Sequence, residues 1–126
     1  MKLRLLKQSV RVRLTQPEVH LLGQGQPVVA ELILGPKPEQ KLIYSLEPRP
    51  DTESLGITMV GQHMVITLPE ALGHELAQTD RVTLQDTVII DPETSVTLCI
   101  EKDFQCLKPR SDEQDEDSFP NPASSN

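Results

Sequence analysis

The chain is poor in aromatic residues: it has no tryptophan, and its aromatic side chains are Tyr44, Phe104 and Phe119. A surface that stacks unpaired nucleic-acid bases on aromatic rings is therefore not expected. The core must be built from Val, Leu and Ile, which favours a small, mainly β body.

Cysteine and long apolar runs are scarce too. Cys99 and Cys106 are too few for a disulfide scaffold, and their spacing is not that of a zinc site. No apolar run approaches the length of a membrane span, and residues 1–7 are too charged and too short for a secretory leader. We therefore expect a cytoplasmic protein with no cofactor, no metal and no membrane partner.

Catalytic signatures are missing as well. The sequence has no Gly-x-Ser-x-Gly elbow, no glycine loop for phosphate and no His-Glu-x-x-His helix, although His74 and Glu75 are adjacent. We predict no catalytic residue and expect binding rather than catalysis, while an enzyme without these motifs stays open.

Charge is distributed unevenly along the chain. The net charge is −7, and five acidic residues cluster near the end, namely Asp112, Glu113, Asp115, Glu116 and Asp117. The first fourteen residues have no acidic side chain and five cationic ones, namely Lys2, Arg4, Lys7, Arg11 and Arg13. This asymmetry indicates an interaction surface or an association of the two ends.

An internal repeat with an offset of 54 residues is the strongest pattern. Residues 10–22 align without a gap on residues 64–76, because apolar side chains occupy the same positions in both. In this alignment Val28 falls on Val82. Each copy has the pattern of a strand, a short helix and a second strand.

Local patterns define the elements of the repeat. Residues 1–14 alternate apolar and cationic side chains, which predicts two strands, and Thr15 with Glu18 forms a capping box for a short helix. We predict a mainly β (α+β) fold with two short helices. It would be a small barrel or sandwich built from two duplicated strand-helix-strand units, residues 10–34 and 64–90.

The chain is predicted to form one domain over residues 1–109. From residue 110 to residue 126 Pro, Ser, Asp, Glu and Asn replace apolar residues, so we expect a flexible acidic tail there.

The two ends of the chain carry distinctive segments. These are the basic strands of residues 1–19, Glu101-Lys-Asp-Phe-Gln-Cys-Leu107 and Asp-Glu-Asp-Ser-Phe-Pro-Asn-Pro122. They resemble a family of short bacterial proteins of unknown function. The resemblance spans nearly the whole chain and implies a self-contained cytoplasmic protein, with no catalytic residue carried over.

Residues 62–84 place a Pro-led helix between two strands. This pattern is similar to the swapped-hairpin regulators and antitoxins typified by AbrB and MazE, in which two copies interlock into a small β-barrel. The resemblance implies that a tandem duplication builds the same barrel within one chain, with residues 10–34 and 64–90 as its halves.

The best candidate site is a cationic stripe for polyanions. On paired strands its four side chains face the same way, namely Lys2, Arg4, Arg11 and Arg13. The second copy has Val65 and Thr67 in place of the last two, which departs from a symmetric DNA-binding dimer. The alternative is an edge strand kept soluble by its charge.

The end of the chain supplies a second candidate. Phe119, Pro120, Asn121 and Pro122 have the composition of a short docking peptide, for this body or for a protein partner. The acidic cluster before them either folds back on the cationic stripe, in competition with a polyanion, or serves only solubility.

A third candidate is a metal or thiol site at Cys106, close in sequence to Glu101 and Asp103. The neighbouring carboxylates would raise the pKa of the thiol and make it less reactive, which favours a structural role. His20 and His74 occupy equivalent repeat positions and are interpreted as surface residues of the two helices.

These patterns predict a small non-enzymatic cytoplasmic binding or regulatory protein that acts through a protein partner. Two alternatives stay open. One is a nucleic-acid-binding regulator that uses the N-terminal basic stripe, and the other is a metal- or thiol-dependent protein centred on Cys106. The oligomeric state is left open.

Overall fold

The structure, a computed structural model, describes residues 1–104 of the chain. Its elements run in the order β1 (Lys2–Leu6), β2 (Ser9–Leu14), α1 (Gln16–Gly23), β3 (Val28–Ile33), β4 (Lys41–Arg49), β5 (Gly56–Val60), β6 (His63–Pro69), α2 (Glu70–Gln78), β7 (Thr83–Asp91) and β8 (Thr94–Lys102). The predictions for Cys106, for the tail of residues 110–126 and for its Phe119–Pro122 segment lie outside the described residues.

The strands form two four-stranded sheets. Sheet A has the order β1-β2-β8-β7 and sheet B the order β3-β4-β6-β5. In each sheet two antiparallel hairpins are joined by a central parallel pair, β2 with β8 or β4 with β6. The predicted mainly β fold with two helices and a sandwich-like body is confirmed.

The barrel, which the sequence pattern offered as the other possibility, is wrong. Closure would require the edge strands of sheet A to pair with those of sheet B. Within residues 1–104 no such ladder forms, and β1, β7, β3 and β5 remain open edges.

The two halves of the described chain repeat the same order of elements over a longer stretch than the units inferred from the sequence. The first half runs from β1 to β4 and the second from β5 to β8. Sheet pairing preserves the 54-residue offset, since Lys2 pairs with Arg13 as Gly56 pairs with Thr67. Because β2 pairs with β8 and β4 with β6, each sheet combines the first hairpin of one half with the second hairpin of the other.

The gapless alignment fails after the helices. Val28 pairs with Leu46, and Leu84 pairs with Ile100, 54 residues after Leu46. The structural equivalent of Val28 is therefore Leu84 rather than Val82. The second half has two more residues between equivalent core positions, since Val28 follows Leu22 by six positions and Leu84 follows Leu76 by eight. Val82 is 41% exposed while Val28 is buried.

One hydrophobic core lies between the sheets and the helices. Equivalent positions of the two halves are buried in pairs: Val12 with Ile66, Leu14 with Leu68, Leu22 with Leu76, and Leu46 with Ile100. Side chains that alternate along a strand reach opposite faces, so the outward-facing partners of these residues form the outer surface of each sheet.

The helices begin and cross as their sequences dictate. The Thr15 hydroxyl accepts a hydrogen bond from the Glu18 N–H, and the Glu18 carboxylate accepts one from the Thr15 N–H, so the predicted capping box is confirmed. The two helices pack closely because small residues meet: a Cβ at Gly23 would overlap the Cβ of Ala77. In residues 1–104 neither helix is long and apolar enough to cross a membrane.

Candidate functional site

The four residues of the predicted stripe lie together on the outer surface of sheet A. Lys2 pairs with Arg13 and Arg4 with Arg11 across β1 and β2. Directly paired residues share a face of the sheet, so all four side chains project from the same surface. We call this surface the cationic face, defined by Lys2, Arg4, Arg11 and Arg13.

Two carboxylates at the end of β8 contact the cationic face. The Arg13 Nε donates to Glu101 Oε2 at 2.8 Å, and the Arg11 Nε lies 3.9 Å from the same oxygen. The Lys2 Nζ lies 3.3 Å from Asp103 Oδ2. Within residues 1–104 the face therefore gathers four cationic side chains, and two carboxylates of the same stretch contact it.

The same ion pairs involve the two carboxylates of the predicted thiol site at Cys106. Glu101 and Asp103, its two carboxylates, are paired with cations, and Cys106 is not among the described residues. Within residues 1–104 no group of three or more His, Cys, Asp or Glu side chains is placed to hold a metal ion.

Cys99 lies beside Glu101 on the same face, and its Sγ is 3.7 Å from Glu101 Oε1. Burial raises the pKa of the Cys99 thiol, and the Glu101 charge raises it further against the opposing effect of Arg11. Because reactive thiols are accessible and have lowered pKa values, we expect Cys99 to be a poor nucleophile.

Sheet B carries an equivalent polar cluster that sequence reasoning missed. Ser45 and Glu47 are the counterparts of Cys99 and Glu101, and the Ser45 Oγ donates to Glu47 Oε2 at 2.8 Å. The Ser45 Oγ also lies 2.8 Å from His63 Nε2. His63 is the first residue of β6.

This cluster has the residues of a hydrolytic site but not the geometry. A serine hydroxyl has one proton, and because Ser45 donates it to Glu47, His63 Nε2 must be the donor to Ser45. His63 therefore does not activate Ser45 as a base would. Ser45 is also only 1% exposed, which denies access to a substrate. We interpret the cluster as a structural network.

A cleft lies beside the two helices. This interhelical cleft has a volume of about 570 Å³ and an apolar floor of Leu14, Val19 and Leu76. Its rim is mainly polar, with Gln16, His20, Gln24, Gln78, Lys102, Asp103 and the half-exposed Phe104. Its size falls in the range of sites that bind small molecules or peptide side chains, about 300–1,000 Å³.

The cleft breaks the symmetry of the repeat. Both equivalent histidines are exposed, but His20 of α1 lines the cleft and His74 of α2 does not. The last described residues, Lys102 to Phe104, close one side and are held by bonds from Lys102 N–H to Val82 O and from Asp103 N–H to Leu14 O, at 3.0 and 2.9 Å. The sequence did not predict the cleft, because the cleft depends on how the two helices cross. The small residues Gly23 and Ala77, at equivalent positions of the repeat, could have indicated a close helix crossing.

Comparison with known proteins adds the family. A family model described as "Family of unknown function (DUF7009)" matches residues 1–123. The chain belongs to this family. Neither the curated proteins nor the solved structures include a significant match to this DUF7009 chain.

Proposed function

We propose that this DUF7009 protein is a small, non-enzymatic, cytoplasmic binding or regulatory protein of bacteria that acts through a protein partner. It holds a short apolar segment of that partner in the interhelical cleft. The observation that carries the proposal is the combination of an apolar floor with a rim rich in amide side chains.

The floor supports binding of an apolar anchor. Leu14, Val19 and Leu76 are buried core residues, so their positions are set by the fold and the cleft needs no rearrangement to form. A preformed apolar site binds with little ordering cost.

The rim supports recognition of a peptide. Gln16, Gln24 and Gln78 each carry an amide that donates and accepts hydrogen bonds, as peptide backbone groups require. Phe104 adds a half-exposed ring at the mouth, and aromatic rings are frequent anchors of interfaces.

The topology supports a regulatory role. Each sheet is assembled from hairpins of both halves, and the sheets stay open. The proposed likeness to the swapped-hairpin AbrB and MazE regulators is that two like units interlock. We propose that the chain is a fused, single-chain version of such an exchanged pair.

A blocked cleft tests the proposal. Peptides would be selected from a random phage-displayed library with the full chain, and their affinities measured by fluorescence anisotropy for the wild type, His20→Trp and His74→Trp. Trp at position 20 fills the mouth of the cleft and should weaken binding at least about tenfold, a loss of about 1.4 kcal/mol. Trp at the equivalent exposed position 74 should leave it unchanged. Equal affinities in both variants, or no selected peptide, would refute the proposal.

The cationic face supports a second candidate function, nucleic-acid binding, because it gathers four cationic side chains on one surface. Fluorescence anisotropy of a labelled, mixed-sequence DNA duplex measures the binding constant. Its logarithm should fall linearly with the logarithm of the salt concentration, with a slope of about −0.9 for each phosphate neutralised. Arg4→Gln with Arg11→Gln should reduce that slope by about 2. A slope near zero would remove this candidate.

A further inference from the structure

We infer that the cationic face is the docking site of this chain's own acidic segment, residues 112–117. The inference goes beyond both proposed functions, because it concerns what covers the face within the same chain. It rests on the chemistry of the face, on where the described chain ends and on the composition of the residues that follow.

The face has the spacing that an acidic strand requires. Neighbouring strands lie about 5 Å apart and residues two apart in a strand about 7 Å, so the four cations of β1 and β2 occupy a compact patch. Five of the six residues from 112 to 117 are acidic. Their carboxylates would alternate along an extended chain with a similar period.

The route of the chain leads to this patch. Asp103 is anchored at the end of β2, by its N–H to Leu14 O at 2.9 Å, and is paired with Lys2 at 3.3 Å. From Phe104 the chain needs eight residues to reach Asp112, a span of at most about 29 Å. A tether of this length keeps the acidic segment near the face at an effective concentration of the order of millimolar.

The outer surface of sheet B explains the choice of face. The counterparts of Lys2 and Arg4 are Gly56 and Thr58, and those of the two arginines of β2 are Val65 and Thr67. The duplication thus places the same strands in both sheets, but these four positions are cationic in sheet A and uncharged in sheet B. The complementary charge for an acidic segment therefore lies on β1 and β2.

The strength of docking should depend on salt. Single exposed ion pairs contribute at most about 1 kcal/mol, but several act together here, and all are screened because the Debye length is about 10 Å at 0.1 M salt. Docking is therefore expected at low ionic strength and release at high ionic strength.

Nuclear magnetic resonance of the uniformly ¹⁵N-labelled full chain tests the inference. Docking predicts backbone order parameters for residues 112–117 above about 0.6 at 20 mM salt that fall below this value at about 300 mM. The amide shifts of Lys2, Arg4, Arg11 and Arg13 should change over the same salt range. The order parameters should also fall at low salt in Arg4→Gln with Arg11→Gln, which leaves the acidic segment intact.

Two variants separate docking from net charge. The first changes the five acidic residues of the segment to their amides and should release it at low salt. The matched control makes the same change at five exposed acidic positions elsewhere, namely Glu39, Asp51, Glu53, Asp80 and Glu93. The control should stay docked. Low order parameters in the wild type at 20 mM salt, or equal release in both variants, would overturn the inference, and neither result depends on the cleft or on DNA binding.

Discussion

At the scale of single residues, the turns of the two equivalent first hairpins, β1–β2 and β5–β6, place different residues at the same backbone position. Lys7 has a φ of 53° and its equivalent Gly61 a φ of 60°, both in the left-handed region. The next residue is glutamine in each turn. The Gln8 side chain donates to Ser95 O at 3.2 Å, and the Gln62 side chain donates to the equivalent Lys41 O at 3.0 Å. The two glutamines thus link the first hairpin of each half to the neighbouring hairpin of the same sheet. Only Gly61 adopts the left-handed backbone without a steric cost, because glycine has no Cβ.

The first prediction concerns this cost. Lys7→Gly should raise the free energy of unfolding by up to about 1 kcal/mol, since a left-handed L-residue costs about 1–2 kcal/mol and glycine returns part of that through its greater unfolded-state entropy. Urea denaturation measures the difference. Lys37→Gly, in a loop with negative φ, is the control and should not stabilise. A loss of stability in Lys7→Gly would contradict the structure of this turn.

The second prediction concerns Glu18 of the capping box. Burial favours a higher pKa, but hydrogen bonds from the N-terminal ammonium and the Thr15 N–H outweigh it and hold the pKa of Glu18 below its ordinary value. The ionised group therefore stabilises the fold at neutral pH, and this contribution is lost as the pH falls through the folded-state pKa. Glu18→Gln should lower the free energy of unfolding by about 1 kcal/mol at pH 7.

The pH dependence supplies the check on Glu18. In acid, the difference between the wild type and Glu18→Gln in urea titrations should shrink below the ordinary glutamate pKa of about 4.3 and disappear below the lowered folded-state pKa. Thr15→Ala removes the part of the capping box that does not titrate, so the loss of unfolding free energy that it causes should persist in acid. A cost of Glu18→Gln that does not change with pH would rule out the ionised carboxylate as its source.

At the scale of elements, the helix pair depends on the absence of a side chain at two glycines, Gly23 and Gly73. A Cβ at Gly23 would overlap the Cβ of Ala77, and a Cβ at Gly73 would lie 3.0 Å from Leu22 O. Glycine normally weakens a helix by about 1 kcal/mol relative to alanine. Here its small size allows the close crossing that shapes one wall of the interhelical cleft.

The third prediction follows from this crossing. Gly23→Ala should lower the free energy of unfolding by about 1–3 kcal/mol, as overpacking does, although alanine is the better helix former. The double change Gly23→Ala with Ala77→Gly moves the methyl group to the equivalent position of the other helix and should recover most of that loss. A double-mutant cycle measured in urea gives the coupling. Simple additivity of the two changes would refute the close contact.

Elements also show where sequence reasoning succeeds. The capping box of Thr15 and Glu18 is local in the sequence, and it was predicted correctly. The equivalence of Val28 and Val82 was wrong because apolar side chains recur every second residue, so a two-residue insertion leaves the pattern intact. The Ser45 cluster was missed because His63 reaches Ser45 only through the parallel pairing of β4 with β6.

At the scale of the whole molecule, the exchange of hairpins was the least predictable feature. The offset of 54 residues indicates two like units, but it does not say which hairpin pairs with which. The central pairs β2–β8 and β4–β6 join residues from different halves, for example Val10 with Leu98. Long-range pairing of this kind follows from burial of the shared core rather than from a local pattern. The cationic face, by contrast, could be predicted because β1 and β2 are neighbours in the sequence.

The fourth prediction tests the exchange directly. If the chain is divided between Asp51 and Thr52, each piece retains its own two hairpins but loses the partner of its central strand. Residues 1–51 alone should therefore lack a folded monomeric state, because β2 and β4 would each keep an unpaired buried edge. Mixing them with residues 52–126 should restore the β-sheet circular dichroism of the intact chain as a one-to-one complex. A second copy of residues 1–51 offers the same two edges, so a dimer at high concentration agrees with the exchange, whereas a cooperatively folded monomer would show that each half pairs its own hairpins.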